Sequence, residues 1–156
     1  MCVTPKNPVT VRNYIPADRG ACLALFDGNT PRFFDTSERD DFACFLDRKA
    51  AAFSYLVIVR GDRIVACGGH AIGADGMTAG LCWGMVDREL QGTGLGNMLT
   101  DARLRAAEAT HGVTQVRIDT SQHTQGFYAR FGFQTESITP EGYGPGLDRW
   151  DMLLRF

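Results

Sequence analysis

No apolar run in the sequence approaches the roughly 18 residues that a membrane-crossing helix needs. The opening residues, Met1-Cys2-Val3-Thr4-Pro5-Lys6-Asn7-Pro8, lack the long apolar core of a secretion signal. A soluble, cytoplasmic protein with no membrane partner is expected. An excess of positive charge is missing too: 16 Lys and Arg stand against 18 Asp and Glu, for a formal net charge of −2 and a pI near 5.9. That leaves no basic footprint for nucleic acid. Cysteine occurs in an odd number, five, without a C-x-x-C pair. Cys2, Cys22, Cys44, Cys67 and Cys82 mostly sit within apolar periodic segments, so they read as buried thiols in a reducing compartment, with no disulfide framework and no metal site. Internal repeats and low-complexity tracts are absent as well. With 44% hydrophobic residues, the 156-residue chain is expected to form one domain, 1–156, around one core.

What is present is organised around one stretch. The apolar segment Leu81-Cys82-Trp83-Gly84-Met85-Val86 leads through Asp87-Arg88-Glu89-Leu90 into Gln91-Gly92-Thr93-Gly94-Leu95-Gly96 and then into a helical pattern. Leu95, Met98, Leu99, Ala102, Ala106 and Ala109 recur on one helical face, and Asp101, Arg103, Arg105 and Glu108 fall on the other. Gly112 is expected to end that helix at C′. Glycines at alternate positions entering a helix make a cradle for an anion, because free N–H groups point outward with the positive end of the macrodipole behind them. Phosphate is the expected guest. A Walker loop would need Gly-Lys-Ser/Thr here, and Asn97 replaces the last glycine of a dinucleotide-binding G-x-G-x-x-G.

Gln91, Gly94 and Gly96 form Gln-x-x-Gly-x-Gly, which resembles motif A of the GNAT superfamily of acyl-CoA-dependent N-acyltransferases. About thirty residues on, after the strand pattern Val113–Thr120, Gly126-Phe127-Tyr128-Ala129-Arg130-Phe131-Gly132-Phe133 resembles the family's FYxxxGF segment. The resemblance is close over about 79–156 and extends to the rest in pattern only. It implies an α/β (α+β) fold with a mixed, mainly antiparallel sheet of six or seven strands, splayed at the cofactor strand, with helices on both faces. It also implies acetyl-CoA as co-substrate. Gln91, Gly92, Thr93, Gly94, Leu95, Gly96 and Asn97 would hold its pyrophosphate, and Met85 and Val86 would present main-chain groups to the pantetheine and acyl carbonyl. Tyr128 matches the family's proton donor to the leaving thiolate, its other reading being a core aromatic beside Phe127 and Phe131. Seven residues before it, Ser121 stands where the family often carries Asn; with Thr124 it would bond the pantetheine arm, cap the short helix that follows, or both.

Upstream, Val9–Tyr14 alternates as a strand and Pro16-Ala17-Asp18 opens a helix stopped by Gly28-Asn29. Phe33 and Phe34 fall in a loop, and Ser37 with Asp40 is expected to cap a helix carrying Phe42, Phe45 and Leu46. Phe33, Phe34, Asp35 and Glu38 are candidate acceptor-binding residues: the resemblance places this region at the acceptor groove, where acidic groups would select a cationic amine. The alternative is a solvated, dipole-complementing helix start. Phe53–Arg60 and Arg63–Ile72 read as a hairpin turning at Gly61-Asp62, with Gly68-Gly69 marking a bend or close backbone approach. The organising strand begins near Met77 or Ala79 and carries no Asp or Glu before Asp87, so the carboxylate some family members use there as base is missing. His70 with a water relay is the named substitute. Pro140–Asp148, with three glycines and two prolines, reads as a mobile loop able to lean over a site, ahead of a closing strand at Trp150–Phe156.

The activity implied is direct attack of a primary amine, on a small molecule or a peptide, upon the thioester of acetyl-CoA in a ternary complex; a homodimer is possible. Three other readings stand beside it: a catalytically silent acyl-CoA-binding regulatory module, a nucleotide-dependent dehydrogenase and a plain interaction domain.

Overall fold

A computed structural model describes residues 8–156. Residues 1–7 of the leader, Cys2 among them, lie outside the described residues. In chain order the elements are β1 (Val9–Asn13), α1 (Arg19–Gly28), α2 (Arg39–Arg48), β2 (Leu56–Arg60), β3 (Arg63–Ile72), β4 (Thr78–Val86), α3 (Leu95–Glu108), β5 (Gln115–Thr120), α4 (Gln125–Ala129), β6 (Gln134–Gly144) and β7 (Leu147–Arg155). Local chemistry fixes several of their ends. Pro16 begins a 3-10 turn into α1, where the Asp18 carboxylate accepts the Ile15 N–H at 2.9 Å and two bonds from Arg12 at 2.7 and 2.9 Å. That guanidinium holds the Asp18 carboxyl below its usual range.

The seven strands make one sheet in the order β1-β2-β3-β4-β5-β7-β6. All pairings are antiparallel except β4 with β5, which runs parallel and covers only Thr78↔Gln115 to Gly80↔Arg117. Beyond Gly80 the two strands part, and the rest of β4 forms one wall of a wedge. On its other side β4 is bulged. Cys67 faces Met85 and Gly69 faces Cys82, so Trp83 and Gly84 together oppose Gly68, with Trp83 at φ +45°.

Both faces of the sheet are covered. Phe26, Phe42, Phe45, Tyr55 and Val57 pack α1 and α2 against one face, with the Trp83 ring 5.0 Å from Phe42. Leu95, Leu99, Ala107, Val116, Tyr128 and Phe133 pack α3 and α4 against the other. Each large side chain so buried contributes about 1.5–3 kcal/mol relative to exposure.

Four expectations are corrected. Asp35 and Glu38, not Ser37 and Asp40, form the capping box ahead of α2: Asp35 Oδ2 accepts the Ser37 N–H at 3.0 Å and Glu38 Oε2 accepts the Asp35 N–H at 3.0 Å. The cap sits earlier because a 3-10 turn, Thr36–Glu38, precedes the helix. Helix α3 closes at Ala109 as C-cap, and Gly112, at φ +88°, lies in the turn beyond it. Pro140–Asp148 belongs to the β6–β7 hairpin, whose tip is locked where Glu141 N–H donates to Asp148 Oδ1 and Asp148 N–H to Gln122 Oε1. Among the described cysteines, Cys22 and Cys67 are buried and Cys82 partly so, whereas Cys44 is exposed on α2.

Candidate active site

The loop after β4 is tied down before it reaches the helix. Asp87 accepts the Glu89 N–H at 3.0 Å and pairs with Arg63. Gln91 Nε2 donates to Asn29 Oδ1 at 2.9 Å, and the buried Asn29 amide donates in turn to Val86 O at 2.9 Å and Leu25 O at 2.8 Å. One side-chain chain thus fastens the end of α1, the end of β4 and the loop together. Gly92 at φ +80° and Gly94 at φ +93° then turn the backbone in a region where a Cβ is strained, although a Cβ at either would meet nothing within 4 Å. The need for glycine here is conformational. Gly94 is the N-cap of α3 and gives no side-chain cap, and Met98 N–H donates to Gly94 O at 3.0 Å. The amides of Leu95, Gly96 and Asn97 therefore lack intrahelical acceptors and face outward from a 14-residue helix. Gly96 is closed in from one side: a Cβ there would lie 3.4 Å from Phe127 Cζ.

From this cradle a cavity of about 590 Å³ runs along the wedge between β4 and β5. Its middle is walled by Met85, Val86, Ser121, Thr124 and Tyr128. The Tyr128 ring is buried, edge-on to Phe127 at 5.1 Å and to Phe133 at 5.7 Å, and its Oη accepts a hydrogen bond from Arg103 Nη2 at 3.3 Å. Ser121 is buried and accepts the His123 N–H at 3.2 Å. It caps no helix: Thr124 is the N-cap of α4 and offers no side-chain cap bond. Burial pushes the Cys82 thiol, also on this wall, up to about 11.

At the far end the wall turns aromatic and acidic, with Phe33, Phe34, Glu38, Asp119, His123 and Tyr143. Phe33 meets His123 edge-on at 6.1 Å. Tyr143 Oη donates to Asp119 Oδ2 at 2.5 Å, and burial with the Asp119 charge drives its phenol far above the usual range. Burial raises the Glu38 carboxyl, and the charges of Asp35 and Asp119 add to that against the bond from Asp35 N–H.

The cavity wall therefore brings together Phe33, Phe34, Glu38, Met85, Val86, Gln91, Gly92, Gly94, Gly96, Asn97, Ser121, Thr124 and Tyr128. Asp35, His70, Thr93 and Leu95 are not part of it. Leu95 is in the core, Thr93 is exposed with its hydroxyl on Leu90 O, and Asp35 serves its capping box against Gly144. His70 shares a face of β3 with Gly68, the face packed by Leu99 and Arg103 of α3, so it lies beneath the sheet and away from the aromatic mouth. Burial, and then the nearby Arg103 charge, lower its pKa. Side chains that the sequence reading did not single out are Asn29, Arg103, Asp119, His123 and Tyr143. Arg103 departs furthest from expectation: assigned to the polar face of its helix, it is 1% exposed. Among the described residues no group of three or more His, Cys, Asp or Glu side chains is placed to hold a metal ion.

The sequence model of the acetyltransferase (GNAT) domain matches residues 33–156. The chain belongs to the GNAT acetyltransferases. As a GNAT protein it is an acyltransferase, and its seven-stranded, mostly antiparallel sheet is the GNAT fold. A GNAT-family protein from Desulfovibrio desulfuricans superposes with a TM-score of 0.77 at 25% identity, covering 95% of this chain and 99% of its own. The ribosomal-protein-S18-alanine N-acetyltransferase from Escherichia coli superposes at 0.77 with 19% identity, covering 95% and 94%. A Salmonella typhimurium protein crystallised with acetyl-CoA gives 0.74 with 18% identity over 95% and 94%. The last two share the fold alone at this identity. No curated protein matches the sequence significantly.

Proposed function

We propose that this GNAT protein moves the acetyl group of acetyl-CoA to a primary amine of a small cationic molecule, by direct attack within a ternary complex. One observation carries the reading: a single cavity joins a helix-start anion cradle, a buried tyrosine hydroxyl and an acidic, aromatic mouth. The residues fit acetyl-CoA. Gly92 and Gly94 adopt left-handed conformations that open the amides of Leu95, Gly96 and Asn97 to a pyrophosphate, and the bulge at Trp83 breaks the β3–β4 ladder where a thioester needs main-chain donors. Acetyl-CoA supplies the activated acyl group, and the protein supplies placement and proton management.

In this reading Phe33, Phe34, Glu38 and Asp119 receive the ammonium form of the acceptor, by charge and by aromatic faces. An ammonium cannot attack, so one proton must leave first. Glu38 takes it, directly or through water, because a half-buried carboxyl whose pKa is raised lies nearer the working pH than a solvated one. His70, the base named from the sequence, sits under the sheet and is not given this role. Tyr128 gives its proton to the departing sulfur. A cytoplasmic setting belongs to the same proposal and rests on the cysteine pattern.

The test is release of free thiol from acetyl-CoA across polyamines, amino acids, aminoglycosides and peptide N-termini. Turnover concentrated on small amines with a second positive charge is the expected result. CoA binding with no amine acetylated would identify a silent binding module.

A further inference from the structure

Arg103 is a buried cation without an anion. It projects from the middle of α3 into the wedge, with 1% of its surface exposed, and its Nε and Nη1 have no hydrogen-bond partner. Its one side-chain bond runs from Nη2 to Tyr128 Oη, and among the described residues it joins no salt bridge. A guanidinium stays charged in a protein, and an uncompensated buried charge opposes folding. The sheet nevertheless makes room for it. A Cβ on Gly84 would lie 2.7 Å from Nη1 and 2.8 Å from Nη2, and one on Gly68 would lie 3.3 Å from Cζ. Two glycines within strands, where glycine weakens the sheet, leave the space that the guanidinium fills.

The two titratable side chains that its charge acts on, His70 and Cys82, offer no negative charge at neutral pH. Burial holds His70 below its ordinary value and the Cys82 thiol above its own, which leaves both uncharged. Tyr128 is the group in contact that can become an anion, and only by losing its proton.

We infer that Arg103 is a positioning residue for the transfer step, a built-in counter-ion for the phenolate that Tyr128 becomes when it protonates the departing sulfur. The inference rests on Tyr128 being the donor, as proposed above. When the carbon–sulfur bond breaks, its electron pair goes to sulfur, and the Tyr128 proton passes to that sulfur to give the free thiol. The negative charge then sits on Tyr128 Oη, 3.3 Å from a guanidinium already in place. The acceptor nitrogen, now bonded to the acyl carbon, sheds two protons in all: the first leaves its ammonium form before attack, to Glu38 or solvent, and the second leaves as the amide forms and returns through water to the Tyr128 phenolate, so that amide, free thiol and one released proton are the net products. The cation thus opposes folding in the resting protein and stabilises the transition state, where charge develops.

Arg103→Met tests this, because it keeps the length of the side chain and deletes its charge. The melting temperature of the CoA-free protein should hold or rise, acetyl-CoA affinity should stay within about threefold, and kcat should fall about tenfold or more. In a Tyr128→Phe background the same substitution should cost no more than about twofold, because the two groups act as a unit. Arg103→Lys should recover part of kcat by restoring a charge. A melting temperature that drops, or a variant that does not fold, makes Arg103 structural and overturns the inference. So does an equal loss of kcat with and without the Tyr128 hydroxyl. A wild-type preference for succinyl-CoA over acetyl-CoA that Arg103→Met abolishes would assign the charge to the acyl chain instead. If Tyr128→Phe itself keeps full kcat, the donor reading fails; if it loses kcat while Arg103→Met does not, this inference alone fails.

Discussion

Gly84→Ala adds one methyl group to the wall of the wedge. The new Cβ would stand 2.7, 2.8 and 3.0 Å from Arg103 Nη1, Nη2 and Cζ, whereas ordinary contact is 3.4–4 Å. The guanidinium must retreat by about 0.7 Å or more from the sheet face that Gly84 shares with Gly68. The same displacement disturbs the 3.3 Å bond to Tyr128 Oη, which is already long. Overpacking of this kind costs about 1–3 kcal/mol. In a domain of this size each kcal/mol lowers the melting temperature by about 2–4 °C, so a drop of about 2–12 °C is expected. Turnover should fall while acetyl-CoA affinity holds, because the cradle lies elsewhere. Thermal unfolding followed by circular dichroism, with thiol release on the same samples, reads both effects. Gly80→Ala is the control, on the same strand, where a Cβ meets only Ala71 O at 3.9 Å. If Gly84→Ala matches that control in melting temperature and in rate, the guanidinium is not pinned beneath Gly84 and the account of the wedge is wrong.

Three further outcomes are expected. Gly94→Glu sets a side chain on a residue at φ +93° and a negative charge at the helix start, so it should abolish CoA binding measured by calorimetry while the far-ultraviolet circular dichroism stays that of the folded protein. Glu38→Gln keeps an acceptor oxygen for Asp35 N–H and removes the charge, so it should raise KM for the cationic amine about tenfold and lower the rate; the wild-type rate should fall as pH drops through the raised Glu38 carboxyl range, and the variant should lack that limb. Asp18→Asn should cost about 1–2 kcal/mol in denaturant titration at pH 7, because the carboxylate partly buried against Arg12 is lost. Arg12 depresses the Asp18 pKa, so its stabilisation is present above the ordinary carboxylate range and disappears as pH falls through the depressed value, where variant and wild type should converge.

Sequence carries local chemistry well. The cradle was legible because three glycines at fixed spacing and the helix behind them are neighbours in the chain, and the β2–β3 hairpin was legible for the same reason. Gly68-Gly69 read as a bend or a close backbone approach, and both glycines lie against neighbours: Gly68 beside Arg103, Gly69 beside Tyr55. Side chains set by tertiary contact were harder. A helical wheel assigns a charged residue to solvent, so Arg103 was placed outside. The signal that could have moved it inward, Gly84 and Gly68 in the strands opposite, becomes visible only when the register of β3 and β4 is known. His70 turned on strand parity, since one residue decides which face of β3 it takes. Asp119 and His123 are near neighbours in the chain, but Tyr143 on β6 and the Phe33–Glu38 segment reach them only in the folded chain. The β6–β7 hairpin was hidden by its composition. Positive φ at Glu141, Gly144 and Gly146 lets a segment dense in glycine and proline stay within a strand pair.

The central claim is that one cavity takes acetyl-CoA at the α3 cradle and delivers its acetyl group, past Tyr128, to a cationic amine. Its most direct test mixes the protein with acetyl-CoA and the amine panel and quantifies acetylated amine by mass spectrometry against free thiol, for the wild type and Tyr128→Phe side by side. The account predicts one acetylated amine per thiol released, a preference for small polycationic acceptors, and a rate lower by about 10² or more in the variant with acetyl-CoA affinity retained. Tight acetyl-CoA binding without any acetylated amine, or a Tyr128→Phe protein that transfers acetyl at the wild-type rate, would contradict it.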